Sequence, residues 1–146
     1  IKFGISPFGI WKDNIPPGIH GLSSYDGLFC DSRLWLEQGW VDYLTPQLYW
    51  QIDPPAQSYP VLLNWWIEQS ADGRHVYPGN AVSHLNTWPV TEIVRQINIT
   101  RSMSERLALG NIFFSTKQIM QDIKGIQEQL AILYAEKAIP PIMNWL

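Results

Sequence analysis

An α/β fold of four consecutive βα units with parallel strands is predicted by three observations. Apolar, strand-like runs begin near Lys2, Val41, His75 and Asn111, a spacing of roughly 35 to 40 residues, which is the size of one βα unit. Amphipathic helical patterns fill the intervals between them. Prolines stand where three of the four runs give out, at Pro7, Pro46 and Pro78. Such alternation fits either an open doubly wound sheet or half of a (β/α)8 barrel. A full barrel takes about 250 residues, so this chain of 146 residues has the size of its half. The open nucleotide-binding sheet is disfavoured, because neither G-x-G-x-x-G nor G-x-x-x-x-G-K-[ST] occurs.

The elements follow in order. The first run, Lys-Phe-Gly-Ile-Ser, leads to Pro7. A helix is expected over 25–38, with Leu28, Trp35 and Leu36 on its apolar side, Ser23 and Asp26 forming a capping box, and Gly39 stopping it. The second run starts at Val41 and ends at Pro46, and a helix over 59–70 follows. The third is His-Val-Tyr-Pro; its helix spans 90–103 with Ile93, Val94 and Ile97 inward, Pro89 in the first turn and Gly110 as its stop. The fourth, Asn-Ile-Phe-Phe-Ser, precedes a helix over 126–137. Each proline lacks the N–H a central strand needs, so each is expected to mark where ladder pairing ends.

Composition excludes several functions. With 46% hydrophobic residues the chain reads as one globular unit over 1–146. A formal net charge of −3 without any Lys/Arg run argues against nucleic acid and anionic membrane surfaces as partners. Cys30, the single cysteine, cannot form an internal disulfide and is expected as a small core residue. His20, His75 and His84 lack ligand spacing, so no metal and no cofactor are expected; His20 and His84 are read as loop hydrogen-bonding groups. The chain begins with Ile1, and neither a signal peptide nor a membrane-spanning segment is read, which suggests a processed or excised polypeptide. Gly4-Ile5-Ser6-Pro7-Phe8 departs from a nucleophile elbow, since Phe8 takes the second glycine's place and Pro7 removes an oxyanion donor. Asn98-Ile99-Thr100 fits a glycosylation sequon but lies in a predicted helix.

The carboxyl ends of parallel strands are where α/β folds carry chemistry. Gln47, Tyr49, Trp50 and Gln51 follow the second run. An amide beside large aromatic faces suits a sugar, whose C–H faces stack on rings while its hydroxyls bond the amide. By the same position Trp11, Tyr77, Asn80, Trp88 and Ser115 join Gln47, Tyr49 and Trp50 as candidate substrate-binding residues. Trp35, Trp40, Trp65 and Trp66 are assigned to the core, and Trp145 is expected to pack the tail onto the rest.

Six ordered motifs carry a family likeness: Phe-Gly-Ile-Ser-Pro-Phe-Gly-Ile-Trp (3–11), Ser-Tyr-Asp-Gly-Leu-Phe-Cys-Asp-Ser-Arg-x-Trp (24–35), Gly-Trp-Val-Asp-Tyr-Leu-Thr-Pro-Gln-Leu-Tyr-Trp (39–50), Trp65-Trp66, Tyr77-Pro78-Gly79 and Ile-Phe-Phe-Ser (112–115). Together they resemble the bacterial glycosyl hydrolase-like 10 family. The resemblance implies a TIM-barrel glycoside hydrolase associated with cell-wall glycan strands, of which this chain would hold barrel strands five to eight. It also implies a bacterial envelope or secreted location, and principal acids on an upstream half of the barrel, because the family's Asp-Asp-Tyr motif does not occur here.

Glycoside hydrolysis needs two carboxyl groups about 5 to 9.5 Å apart, one of them held protonated. Asp13 and Asp53 are the acids nearest a strand's exit and the weak in-chain candidates, with solvated turn acids as the plainer reading. Asp42 stands at a strand's entrance and is read as structural. Asp26 is read as a helix-start charge and Asp31 as the partner of a neighbouring arginine. Two functions remain open: part of a glycan-cleaving barrel, or a non-catalytic carbohydrate-binding or assembly module. In either case an N-terminal half-barrel or another copy of the chain is expected to cover the open sheet edges.

Overall fold

The computed structural model describes residues 1–145. Its strands are short and all parallel: β1 Gly4–Ile5, β2 Tyr43–Leu44, β3 His75–Val76, β4 Gly79–Asn80 and β5 Ile112–Phe113. β1, β2 and β3 pair in that order with Ile5, Leu44 and Val76 in register, while β4 pairs with β5. Isolated parallel bridges from Gln47 to Phe8 and to Gly79 link the two groups. The result is a mixed α/β structure compatible with part of a (β/α)8 barrel.

The prolines do not end the ladders. Gln47 N donates to Pro7 O at 3.0 Å, Gly79 N to Pro46 O at 2.9 Å and Ile112 N to Pro78 O at 3.0 Å. Because the bonds of a parallel ladder alternate sides, each proline keeps its accepting carbonyl on the next strand and forfeits only its own rung. Pairing resumes beyond the prolines, with Phe114 N donating to Asn80 O at 2.9 Å.

Alternation along the strands divides the sheet's faces. Ile5, Leu44 and Val76 face the helices, and the latter two are fully buried in a core with Ile10, Leu36, Leu48, Tyr59, Leu62, Leu63 and Trp66. Gly4, Tyr43, His75 and Tyr77 lie on the opposite face, where the Tyr43 ring crosses Gly4 so closely that a Cβ there would sit 2.2 Å from the ring. A side chain at position 4 would have to displace that ring.

The first predicted helix is two helices, α1 Ser24–Gly27 and α2 Ser32–Glu37. The capping box forms as expected, Asp26 N donating to Ser23 Oγ and Ser23 Oγ to Asp26 Oδ2. After one turn, however, Phe29 turns left-handed at φ 51°, and Leu28 and Phe29 point to solvent. Cys30 falls in this break, half-buried, rather than in a helix or the core. Asp31 starts the new helix by accepting from Leu34 N. It is not an arginine's partner, because Arg33 pairs with Glu37 one turn on. Gly39, at φ 64°, closes α2 in a Schellman turn, with Gly39 N donating to Leu36 O and Trp40 N to Trp35 O. That turn swings Trp40 outward, 62% exposed, against its expected place in the core.

Four further helices carry the remaining packing. α3 Tyr59–Glu68 buries Tyr59, Leu62, Leu63, Trp65, Trp66 and Ile67, and the Trp66 indole donates to Gly9 O at 2.8 Å. α4 Val90–Ser102 starts one residue after Pro89, which serves as its N-cap rather than its first turn. Gly110 does not stop this helix, which ends eight residues earlier with Met103 as its cap. Instead Gly110 makes room for the Tyr77 ring. A short α5, Thr116–Met120, adds to the expected helices, and α6 spans Ile126–Leu133, four residues shorter than the predicted 126–137. α4 and α6 share a second apolar cluster of Val82, Leu85, Ile93, Ile97 and Ile126. Among the described residues no helix is long and apolar enough to cross a membrane.

At the starting ends of the strands, Asp42 accepts from Phe3 N and from the Trp145 indole, both at 2.7 Å, with Lys2 at 3.4 Å. The Phe3 amide, ahead of Trp145 and Lys2, holds the Asp42 carboxyl below the usual carboxylate range. Trp145 also meets the His75 ring edge-on and lies over Arg74. The tail is thus fastened across the strands' entrance, where acids serve structure.

Candidate functional site

The trailing ends of the strands bring Gln47, Tyr49 and Trp50 together with two rings absent from the sequence-based expectation. Trp50 meets Phe8 edge-on, centroids 5.5 Å apart. Tyr49 stacks on Phe114 at 5.6 Å and 21°. It reaches Phe114 by lying over Gly79, where a Cβ would come within 3.1 Å of the Tyr49 ring. Gln47 stands between the pairs and donates from Nε2 to Ser6 O at 2.9 Å, and its amide oxygen has no hydrogen-bond partner among the described residues. Phe114 is 54% exposed, and Phe8, Gln47, Tyr49 and Trp50 are partly so. Two ring pairs flanking an amide form a strip suited to the flat faces and hydroxyls of a sugar chain. Partial burial raises the Tyr49 phenol above its ordinary value. Ser115 adjoins the strip, its hydroxyl bonded to Gln118 Oε1 at 2.9 Å.

The other sequence-predicted residues lie elsewhere. Trp11 is core: 8% exposed, stacked at 6.0 Å on Trp65, with its indole donating to Asp31 Oδ1 at 3.0 Å. Asn80 is fully buried on the helix side, donating to Tyr59 OH at 3.1 Å and Gln96 Oε1 at 2.9 Å and accepting from Asn111 Nδ2 at 2.8 Å. Neither touches solvent enough to meet a substrate. The hydrogen bonds of Asn80 serve this network, in which burial raises the Tyr59 phenol to about 12. Tyr77 leans back toward the strand starts, bonded to His75 Nδ1 at 3.0 Å and edge-on to Tyr43. Trp88 packs half-buried on the second cluster and meets His84 edge-on.

The two in-chain acids are tied into loops. Asp13 accepts from Gly21 N at 3.0 Å and lies 3.3 Å from His20 Nδ1, and the Gly21 amide holds its carboxyl below the usual range, the opposite of what a proton donor needs. Asp53 pairs with Arg95 at 3.2 Å. Among the described residues no group of three or more His, Cys, Asp or Glu gathers as a metal would require. A cavity of about 530 Å³ lies beside Arg101, Asn111 and Tyr134, ahead of β5 and so away from the trailing ends.

A family model for glycosyl hydrolase-like 10 matches residues 1–94, well over half of the chain. The chain belongs to the glycosyl hydrolase-like 10 family. It is 37% identical over 159 aligned positions to glycosyl hydrolase YngK of Bacillus subtilis (strain 168), an alignment that covers 100% of this chain and 31% of YngK. It is 39% identical over 72 positions to glycosyl hydrolase DigH of Escherichia coli (strain K12), covering 47% of this chain and 16% of DigH. The chain therefore spans under a third of the length of these relatives. The ring strip draws on both sides of the family match: Phe8, Gln47, Tyr49 and Trp50 fall inside residues 1–94, and Phe114 falls beyond them.

Proposed function

We propose that the chain supplies strands five to eight of a (β/α)8 glycoside hydrolase barrel acting on the glycan strands of bacterial peptidoglycan, at the envelope or outside the cell. Phe8, Gln47, Tyr49, Trp50, Phe114 and Ser115 grip the glycan, and the principal acid lies on the upstream half. The single observation that carries this reading is the partly exposed strip at the trailing strand ends, in which two ring pairs flank one amide. The lowered Asp13 carboxyl and the ion-paired Asp53 support the assignment of acid chemistry to another part of the polypeptide. The exposed Phe3 and Ile112 are apolar surface that an N-terminal half-barrel would cover.

The test is release of reducing ends from peptidoglycan glycan strands by this chain alone and by the polypeptide that includes its upstream half. Release only from the longer polypeptide, reduced about tenfold or more by Trp50→Ala or Phe114→Ala, is expected. Cleavage by these residues alone refutes the placement of the acid. Strand binding without cleavage by either polypeptide favours the carbohydrate-binding module instead.

A further inference from the structure

We infer that Glu92 and Gln96, on α4, are positioning residues that clamp the backbone on both sides of Gln51 and so fix the presentation of the Trp50 ring. Glu92 is 3% exposed, an acid in the protein interior where charge is costly unless its oxygens are bonded. Its Oε1 accepts from Ile52 N at 2.8 Å and from Gln96 Nε2 at 3.1 Å. The same Gln96 amide donates to Trp50 O at 3.0 Å, and its oxygen accepts from Asn80 Nδ2 at 2.9 Å. Arg95 continues the contact outward, 3.7 Å from Glu92 Oε2 and 3.2 Å from Asp53 Oδ2. Three residues on α4 therefore hold three points of the 50–53 loop.

The spacing explains how. Glu92, Gln96 and Thr100 recur every four residues, so their side chains line one face of α4. Thr100 bonds Tyr59 OH at 2.9 Å and Asn111 Nδ2 at 3.0 Å, which anchors the far end of the row to α3 and to the start of β5. The row is a polar spine running from packed interior to the loop that bears Trp50. Backbone amides are short tethers without rotamers of their own, so gripping Trp50 O and Ile52 N sets the ring's base more firmly than contacts to the ring alone. A charged acceptor makes the Ile52 bond stronger than a neutral one would.

The inference rests on the reading of Trp50 as a glycan platform, and the experiment separates the two. In the longest polypeptide carrying this chain, hydrogen–deuterium exchange is followed in peptides covering 50–53, and affinity is measured for soluble peptidoglycan glycan strands. Glu92→Ala is expected to speed exchange there about tenfold or more and to weaken strand affinity about tenfold, while peptides of β2 and α3 exchange as before. Glu92→Gln keeps a carbonyl oxygen for Ile52 N and is expected to restore both. Should Glu92→Ala not fold, Gln96→Met serves: it leaves Glu92 on Ile52 and removes the donor to Trp50 O, so affinity falls while the Ile52 amide stays protected.

Unchanged exchange in Glu92→Ala overturns the clamp, as does a Glu92→Gln variant as loose as Glu92→Ala. Faster exchange with unaltered strand affinity shows a brace of structure alone and overturns the positioning role. Failure of the unsubstituted protein to bind strands overturns the glycan reading and the positioning role with it, while exchange still decides whether the clamp exists.

Discussion

Replacing Asn80 by alanine separates a buried structural role from the substrate contact that its position in the sequence suggests. Asn80 donates to Tyr59 OH and Gln96 Oε1 and accepts from Asn111 Nδ2, at no exposure to solvent. Two of the three partners keep other bonds, because Tyr59 OH and Asn111 Nδ2 both also reach Thr100 Oγ1. Gln96 Oε1 is left in the interior without this donor. One orphaned interior acceptor costs about 1–3 kcal/mol, and the loss of the other two bonds adds about 0.5–1.5 kcal/mol each, so a total near 3–4 kcal/mol is expected once partial relaxation is allowed. At about 2–4 °C per kcal/mol for a chain of this size, the midpoint should fall by roughly 6–16 °C. Urea unfolding followed by far-ultraviolet circular dichroism measures the free energy, and thermal unfolding the midpoint. A loss below about 0.5 kcal/mol, or a variant of full stability that no longer binds glycan, would refute the reasoning and return Asn80 to the binding surface.

Trp11→Ala should cost about 3–5 kcal/mol in the same assay, because it removes the ring stacked on Trp65 and the donor to Asp31. The milder Trp11→Phe should leave glycan affinity within about twofold, which a platform ring would not allow. Gly9→Ala places a Cβ 2.3 Å from Gln47 O and 2.8 Å from the Trp50 ring. With backbone on one side it should destabilise by about 1–3 kcal/mol and lower strand affinity by shifting Trp50. Burial holds the His75 imidazole below its ordinary 6.5. The unfolded chain then binds more protons just below that pH, so stability is full above about 6.5 and falls as pH drops toward the folded value. In His75→Gln the slope between pH 6.5 and 5 should flatten, which unfolding midpoints across that range will show.

Short-range patterns in the sequence determined the parallel βα order, the capping box at Ser23 and the Schellman stop at Gly39, because each depends on neighbours a few residues apart. They also determined which end of the strands carries Gln47, Tyr49 and Trp50. The break at Phe29 was not legible: Leu28, Trp35 and Leu36 fit one helical face, and only the exposure of Leu28 in the folded chain shows that the face is not continuous. Nor was the role of the prolines, whose carbonyls keep the ladder going on whichever side the neighbouring strand lies.

The site itself was decided by tertiary structure. Phe114 joins Tyr49 across 65 residues, and the missing Cβ of Gly79, on a strand between them, leaves room for the Tyr49 ring. Trp11 and Trp50 both follow a strand and look alike in sequence. Trp11 is claimed by Trp65 and Asp31 and sealed inside, whereas Trp50 stays at the surface against Phe8. Sequence fixes what a residue is able to contact, but burial and distance depend on where long-range packing brings its partners. For that reason residue types in the sequence suggested a surface suited to a sugar, and the fold decided which side chains share one strip.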